Sequence, residues 1–68
     1  MYDLKENGIR LKNLRGSKRR EEVAAALRIS VSSLTMYELG QRNPSDEQKI
    51  ALAEYYGVTV SSIFFPSR

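Results

Sequence analysis

Between Gly8, Gly16, Gly40, Pro44, Gly57 and Pro66, the apolar residues of this chain recur at three- and four-residue intervals. The two-residue alternation of a half-buried strand is nearly absent, so the pattern predicts an all-α chain. A first helix is expected over Leu4–Arg15, with Leu4, Leu11 and Leu14 near one face and Asp3 and Glu6 placed for a capping box. Gly8 costs that helix about 1 kcal/mol relative to Ala, which leaves Asn7 as an alternative start. A second helix spans Arg20–Leu27, with Val23, Ala24 and Leu27 as its apolar stripe and Glu21 and Glu22 in the first turn, where the helix dipole favours carboxylates. After the turn Arg28-Ile29-Ser30, a third helix covers Val31–Leu39, capped by Ser30, with Leu34 and Tyr37 inward and Gly40 as its left-handed stop. Ser45 caps a fourth helix, with Gln48 at the capping-box position, Ile50, Ala53 and Tyr56 inward, and Gly57 at its end. Thr59 starts a short fifth helix that runs through Phe64 with Ile63 inward.

Size and composition narrow what such a chain does. At 68 residues without an internal repeat, residues 1–68 are expected to form one domain, near the lower size limit for an unaided core. The absence of Cys and His removes disulfides, thiolate metal sites, the commonest metal ligand and the commonest general base. Catalysis would fall to a carboxylate or Lys dyad, but Glu21 and Glu22 point to different faces of a helix and no Gly-rich phosphate loop exists, so the chain does not read as an enzyme. No stretch is long and apolar enough for a membrane span, and MYDLKENGIR lacks the apolar run of a signal peptide, so a cytoplasmic protein is expected. The net charge of +3 is unevenly spread: residues 1–20 hold seven cations against two carboxylates, residues 21–68 four against six. A basic end on a small domain is the electrostatic footprint of a nucleic-acid binder.

Two short helices separated by a three-residue turn have the shape of a helix-turn-helix, here over about residues 20–39. The outer face of the second one offers Ser30, Val31, Ser32, Thr35 and Met36, side chains small enough to let a helix approach base edges in a groove. The stretch EEVAAALRISVSSLTMYELGQRNPS is similar to the Xre / Cro–cI, or lambda-repressor-like, family. Val23-Ala24, Ile29-Ser30, Leu34 and Tyr37, Glu38-Leu39-Gly40 and Arg42-Asn43-Pro44 match its pattern without a gap, and IALAEYYGVTVSSIFF looks like its last two helices. Two positions depart from the pattern. Arg19 and Arg20 stand where the family has Ser or Thr followed by Gln, which removes the N-cap hydroxyl and leaves Ser17 as its substitute. Arg28 stands where the family prefers Gly, so a positive φ there would store strain.

The resemblance implies a compact five-helix domain that binds double-stranded DNA as a transcriptional regulator, read as a repressor. Base readout is expected from Ser30, Val31, Ser32, Thr35 and Met36, and phosphate contacts from Lys18, Arg19, Arg20, Gln41, Arg42 and Asn43. Arg15 and Glu38 match the family's ion pair between the first and third helices. A homodimer on a near-palindromic operator is expected, with Tyr55, Val60, Phe64 and Phe65 as candidate interface residues; of the adjacent Phe64 and Phe65, one is expected outside the core. No cofactor, metal or small-molecule ligand is expected, and a prokaryotic or phage-encoded origin fits. The same fold also serves as a protein-interaction module or as an antitoxin or controller protein. With only Pro66-Ser67-Arg68 after the fifth helix, a toxin-binding extension is not evident.

Overall fold

The computed structural model describes residues 3–64. They form five helices, α1 (Leu4–Arg15), α2 (Arg20–Leu27), α3 (Val31–Glu38), α4 (Asp46–Tyr56) and α5 (Val60–Phe64), and no strand is present among them.

Caps set most of these boundaries. The Asp3 carboxylate accepts from the Lys5 and Glu6 N–H groups, so α1 starts at Leu4 rather than at Asn7. The Glu6 carboxylate lies 3.9 Å from Arg10 instead of closing the capping box. Ser30, Ser45 and Thr59 cap α3, α4 and α5 by accepting from the N–H groups of Ser33, Gln48 and Ser62. Only α2 of the first four helices has no side-chain cap: Arg19 holds the N-cap position in extended geometry, and Ser17 does not take over the role. Arg28 ends α2 with φ 58° and ψ 41°, so the position where the family prefers Gly does take a positive φ and stores modest strain on an Arg, and Ile29 N–H donates back to the Ala24 carbonyl at 3.0 Å. α3 stops at Glu38, one residue early, with Leu39 as C-cap and Gly40 at φ +72° just beyond it.

The core is Leu11, Val23, Ala24, Leu34, Tyr37, Leu52, Ala53, Ile63 and Phe64. α1 packs on α3 and α5, α2 on α3 and α4, and α4 on α5. Gly8 and Gly40 make the first of these contacts possible. A Cβ on Gly8 would run into the Glu38 and Tyr37 carbonyls, and one on Gly40 would lie 2.6 Å from Lys5 Cα. Gly8 is thus where α1 and α3 touch backbone to backbone. Arg10 ties the other side of α1 to the end of α5, donating from Nε to the Ile63 carbonyl at 2.6 Å and from Nη2 to Asn7 Oδ1 at 2.8 Å.

Two expected core residues lie elsewhere. Leu14 is on the rim of α1, and Ile50 is 51% exposed. The inward stripe of α4 is Lys49, Leu52, Ala53 and the half-buried Tyr56. Lys49 occupies an apolar position because its stem buries while Nζ sits 5.5 Å from the centroid of the Phe64 ring.

Candidate nucleic-acid interface

Leu34, Tyr37 and Glu38 bury one face of α3 and leave the opposite face to solvent. Val31, Ser32 and Met36 are exposed there, and Thr35 is half-buried at the edge. Ser30 is exposed but occupied: its Oγ accepts from the Ser33 N–H and donates to Ser33 Oγ, both at 3.0 Å. Leu39, 53% exposed, extends the line of Ser32 and Met36 past the helix end. Its position three residues after Met36 is the signal that would have placed it on this face.

Beneath this face lies a charge cluster larger than a pair. The Glu38 side chain has no solvent exposure. Its Oε2 accepts from Arg15 Nε at 2.7 Å, and its Oε1 from Arg15 Nη2 at 3.0 Å and from Arg20 Nε at 3.0 Å. Arg15 also donates from Nη1 to the Lys18 carbonyl at 2.7 Å, which fixes the α1–α2 loop. The hydrogen bonds from Arg15 to Glu38 raise the Arg15 pKa above its ordinary value against the desolvation that lowers it. Tyr56 lies close enough to sense both charges. Burial first, and the Glu38 charge second, push its hydroxyl up to about 12, and that hydroxyl finds no hydrogen-bond partner among the described residues.

The remaining cations differ in how much of each is exposed. Arg20, expected on a phosphate, is turned inward by Glu38 with about a third of its side chain exposed. Arg19 is exposed at the α2 N-terminus, whose first N–H groups have no side-chain partner. Lys18 Nζ is 3.9 Å from Glu22 and 5.8 Å from the Tyr55 ring centroid. Gln41, Arg42 and Asn43 are exposed on the α3–α4 loop, anchored by the buried Pro44. Of the expected dimer residues, Phe64 is 1% exposed and fills the core, so it cannot serve as a surface. Tyr55 and Val60 are half-buried, and Phe65 lies outside the described residues. Among the described residues, no helix is long and apolar enough to cross a membrane, and no three His, Cys, Asp or Glu side chains gather as metal ligands.

A bundle in which α2 and α3 are joined by a tight turn, with the outer face of α3 exposed, has the shape of a helix-turn-helix module. The chain belongs to the helix-turn-helix family, the Xre and lambda-repressor-like class of DNA-binding regulators, whose family model matches residues 9–63. No curated protein and no solved structure matches it.

Proposed function

We propose that the chain is a sequence-specific transcriptional repressor module that inserts α3 into the major groove of double-stranded DNA. The observation that carries this reading is the exposed outer face of α3, where Ser32 lies with the apolar Val31 and Met36 and is followed by the exposed Gln41–Asn43 loop. Ser32 bonds to any of several base edges, and Val31 and Met36 offer apolar contact to a thymine methyl, with Thr35 at the margin. Lys18, Arg19, Gln41, Arg42, Asn43 and the free N–H groups of α2 hold phosphates. Arg20 reaches the backbone only with what its bond to Glu38 leaves free. The reading face lacks Asn and Gln, so DNA shape and the surrounding cations contribute much of the preference. A homodimer on a near-palindromic operator, with half-sites about 34 Å apart, suits so small a module. Tyr55, Val60 and Phe65 remain as its candidate surface, and a cytoplasmic site of action fits this role.

Selection from random duplex DNA tests the reading. A defined motif is expected, with affinity that falls steeply as salt rises. Arg42→Ala should weaken all sequences alike, whereas Ser32→Ala and Met36→Ala should change the selected motif. Undetectable duplex binding at low salt would defeat the proposal, and an unchanged motif in both α3 variants would defeat the assigned face.

A further inference from the structure

Ile9 on α1 and Ile50 on α4 are 53% and 51% exposed, and neither belongs to the core or to the reading face of α3. Their surroundings are of opposite charge. Ile9 has Lys5 four residues before it and Lys12 three after, and Ile50 has Glu47 three before it and Glu54 four after. At these spacings each set shares one helix face. All four charged side chains are exposed, and among the described residues none has an ion-pair partner. Glu6, the neighbouring carboxylate on α1, is turned to Arg10 at 3.9 Å, and Lys49, the only cation of α4, is buried. The Ile50 stripe therefore carries carboxylates alone, and the Ile9 stripe carries Lys5 and Lys12 with the exposed Glu6 carboxylate set against Arg10.

We propose that these stripes are the two halves of a contact between copies of this chain, with α1 of one copy lying antiparallel on α4 of the next. In that alignment Ile9 meets Ile50, Lys5 faces Glu54 and Lys12 faces Glu47. The offsets on the two helices agree, about 6 Å on one side and about 4.5 Å on the other at 1.5 Å rise per residue. Pairing α1 with α1 would oppose lysines, and pairing α4 with α4 would oppose carboxylates, so neither stripe serves a two-fold contact with itself. Each copy carries both stripes, so the contact closes reciprocally between two copies where the stripes face one partner together and propagates head to tail where they do not. One helix stripe on another falls well short of the roughly 1,200 Å² at the lower end of stable complexes, so free copies associate weakly. Where the DNA-binding reading holds, copies seated side by side on one duplex have a high effective concentration, and the contact makes their loading cooperative.

The test uses the free protein, so its outcome is separate from that of DNA binding. In a dilution series of amide NMR spectra at low salt, concentration-dependent shifts should gather on residues 5–13 and 46–54. They should vanish near 1 M salt, where screening acts within about 3 Å. Lys5→Glu/Lys12→Glu and Glu47→Lys/Glu54→Lys should each lose the concentration dependence alone and recover it when mixed in equal amounts. Ile50→Ser, which leaves every charge in place, should weaken the association several-fold, and the amide dispersion of each variant reports that it is folded. Concentration-independent wild-type spectra, shifts centred on Tyr55 and Val60 instead, or swapped variants that fail to recover on mixing would overturn the proposal.

Discussion

A carboxylate removed from water must have its charge matched, and Glu38 meets that demand with two guanidiniums, Arg15 through two nitrogens and Arg20 through one. Glu38→Gln keeps the shape and removes the charge, leaving two cations crowded around a neutral amide. Breaking a buried pair on one side typically costs about 3–5 kcal/mol, comparable with the whole stability of a chain this short. Glu38→Gln is therefore expected to be largely unfolded in a urea titration, and a midpoint equal to wild type would contradict the role given to this cluster. Tyr56 gives a second expectation at the same scale. Its hydroxyl ionises at about 12 in the folded chain, against about 10 in the unfolded one. The unfolded chain releases that proton first, so the stability tied to the neutral phenol is intact below about pH 10 and is lost as pH rises through about 12. Urea midpoints across that interval should fall, and Tyr56→Phe should flatten the fall; an identical alkaline loss in the variant would assign it to other groups.

At the scale of the helix, Gly8 sets two effects against each other. Ala in its place gains about 1 kcal/mol of helix propensity. The new methyl, however, would strike the Tyr37 and Glu38 carbonyls, which are backbone at the end of α3 and cannot step aside. Overpacking of that kind costs about 1–3 kcal/mol, so Gly8→Ala is expected to destabilise despite the better propensity, and a raised melting temperature would show that α1 and α3 separate freely. This contact also marks where sequence reading stops. The limits of α1 and α2 and the Ser30, Ser45 and Thr59 caps follow from local residue chemistry, which a sequence displays, whereas the left-handed Arg28 is signalled only by the Gly that the family prefers there. The closeness of α1 to α3 does not: in the sequence Gly8 is only a weak helix residue. Register on α4 fails for the same reason. Ile50 and Leu52 are both aliphatic, and what turns Leu52 inward is that positions 49, 53 and 56 share its face, one of them held by a lysine whose charge disguises an apolar site. The exposed face of α3 is legible because Leu34 and Tyr37 fix its opposite side. Arg20 is not, because its attraction to Glu38 depends on a tertiary approach between α2 and α3.

Over the whole molecule, formal charge and available charge differ. The first 20 residues carry seven cations, yet Arg15 and Arg20 share Glu38, Arg10 is tied to Asn7 and Ile63, and Lys18 faces Glu22. Arg19 and Arg42 are exposed and make no ion pair among the described residues. Counterion release depends on cations that reach phosphates, each contributing about 0.9 to the slope of log affinity against log salt. The slope should therefore track geometry and not net charge. Arg19→Ala and Arg42→Ala each remove one positive charge and should flatten the slope by about 1 per bound chain while leaving the melting temperature within a few degrees of wild type. Arg20→Ala removes the same charge, but the charge lost is one already matched by Glu38. It should change the slope by clearly less and lower thermal stability by about 1 kcal/mol, since Glu38 loses one of its three donors. Binding isotherms of the three variants on one duplex over a range of salt, paired with melting curves, decide the matter. Equal slope changes for Arg19, Arg20 and Arg42 would mean that Arg20 leaves Glu38 when DNA arrives, and that the inward position it holds in the free protein is given up on binding.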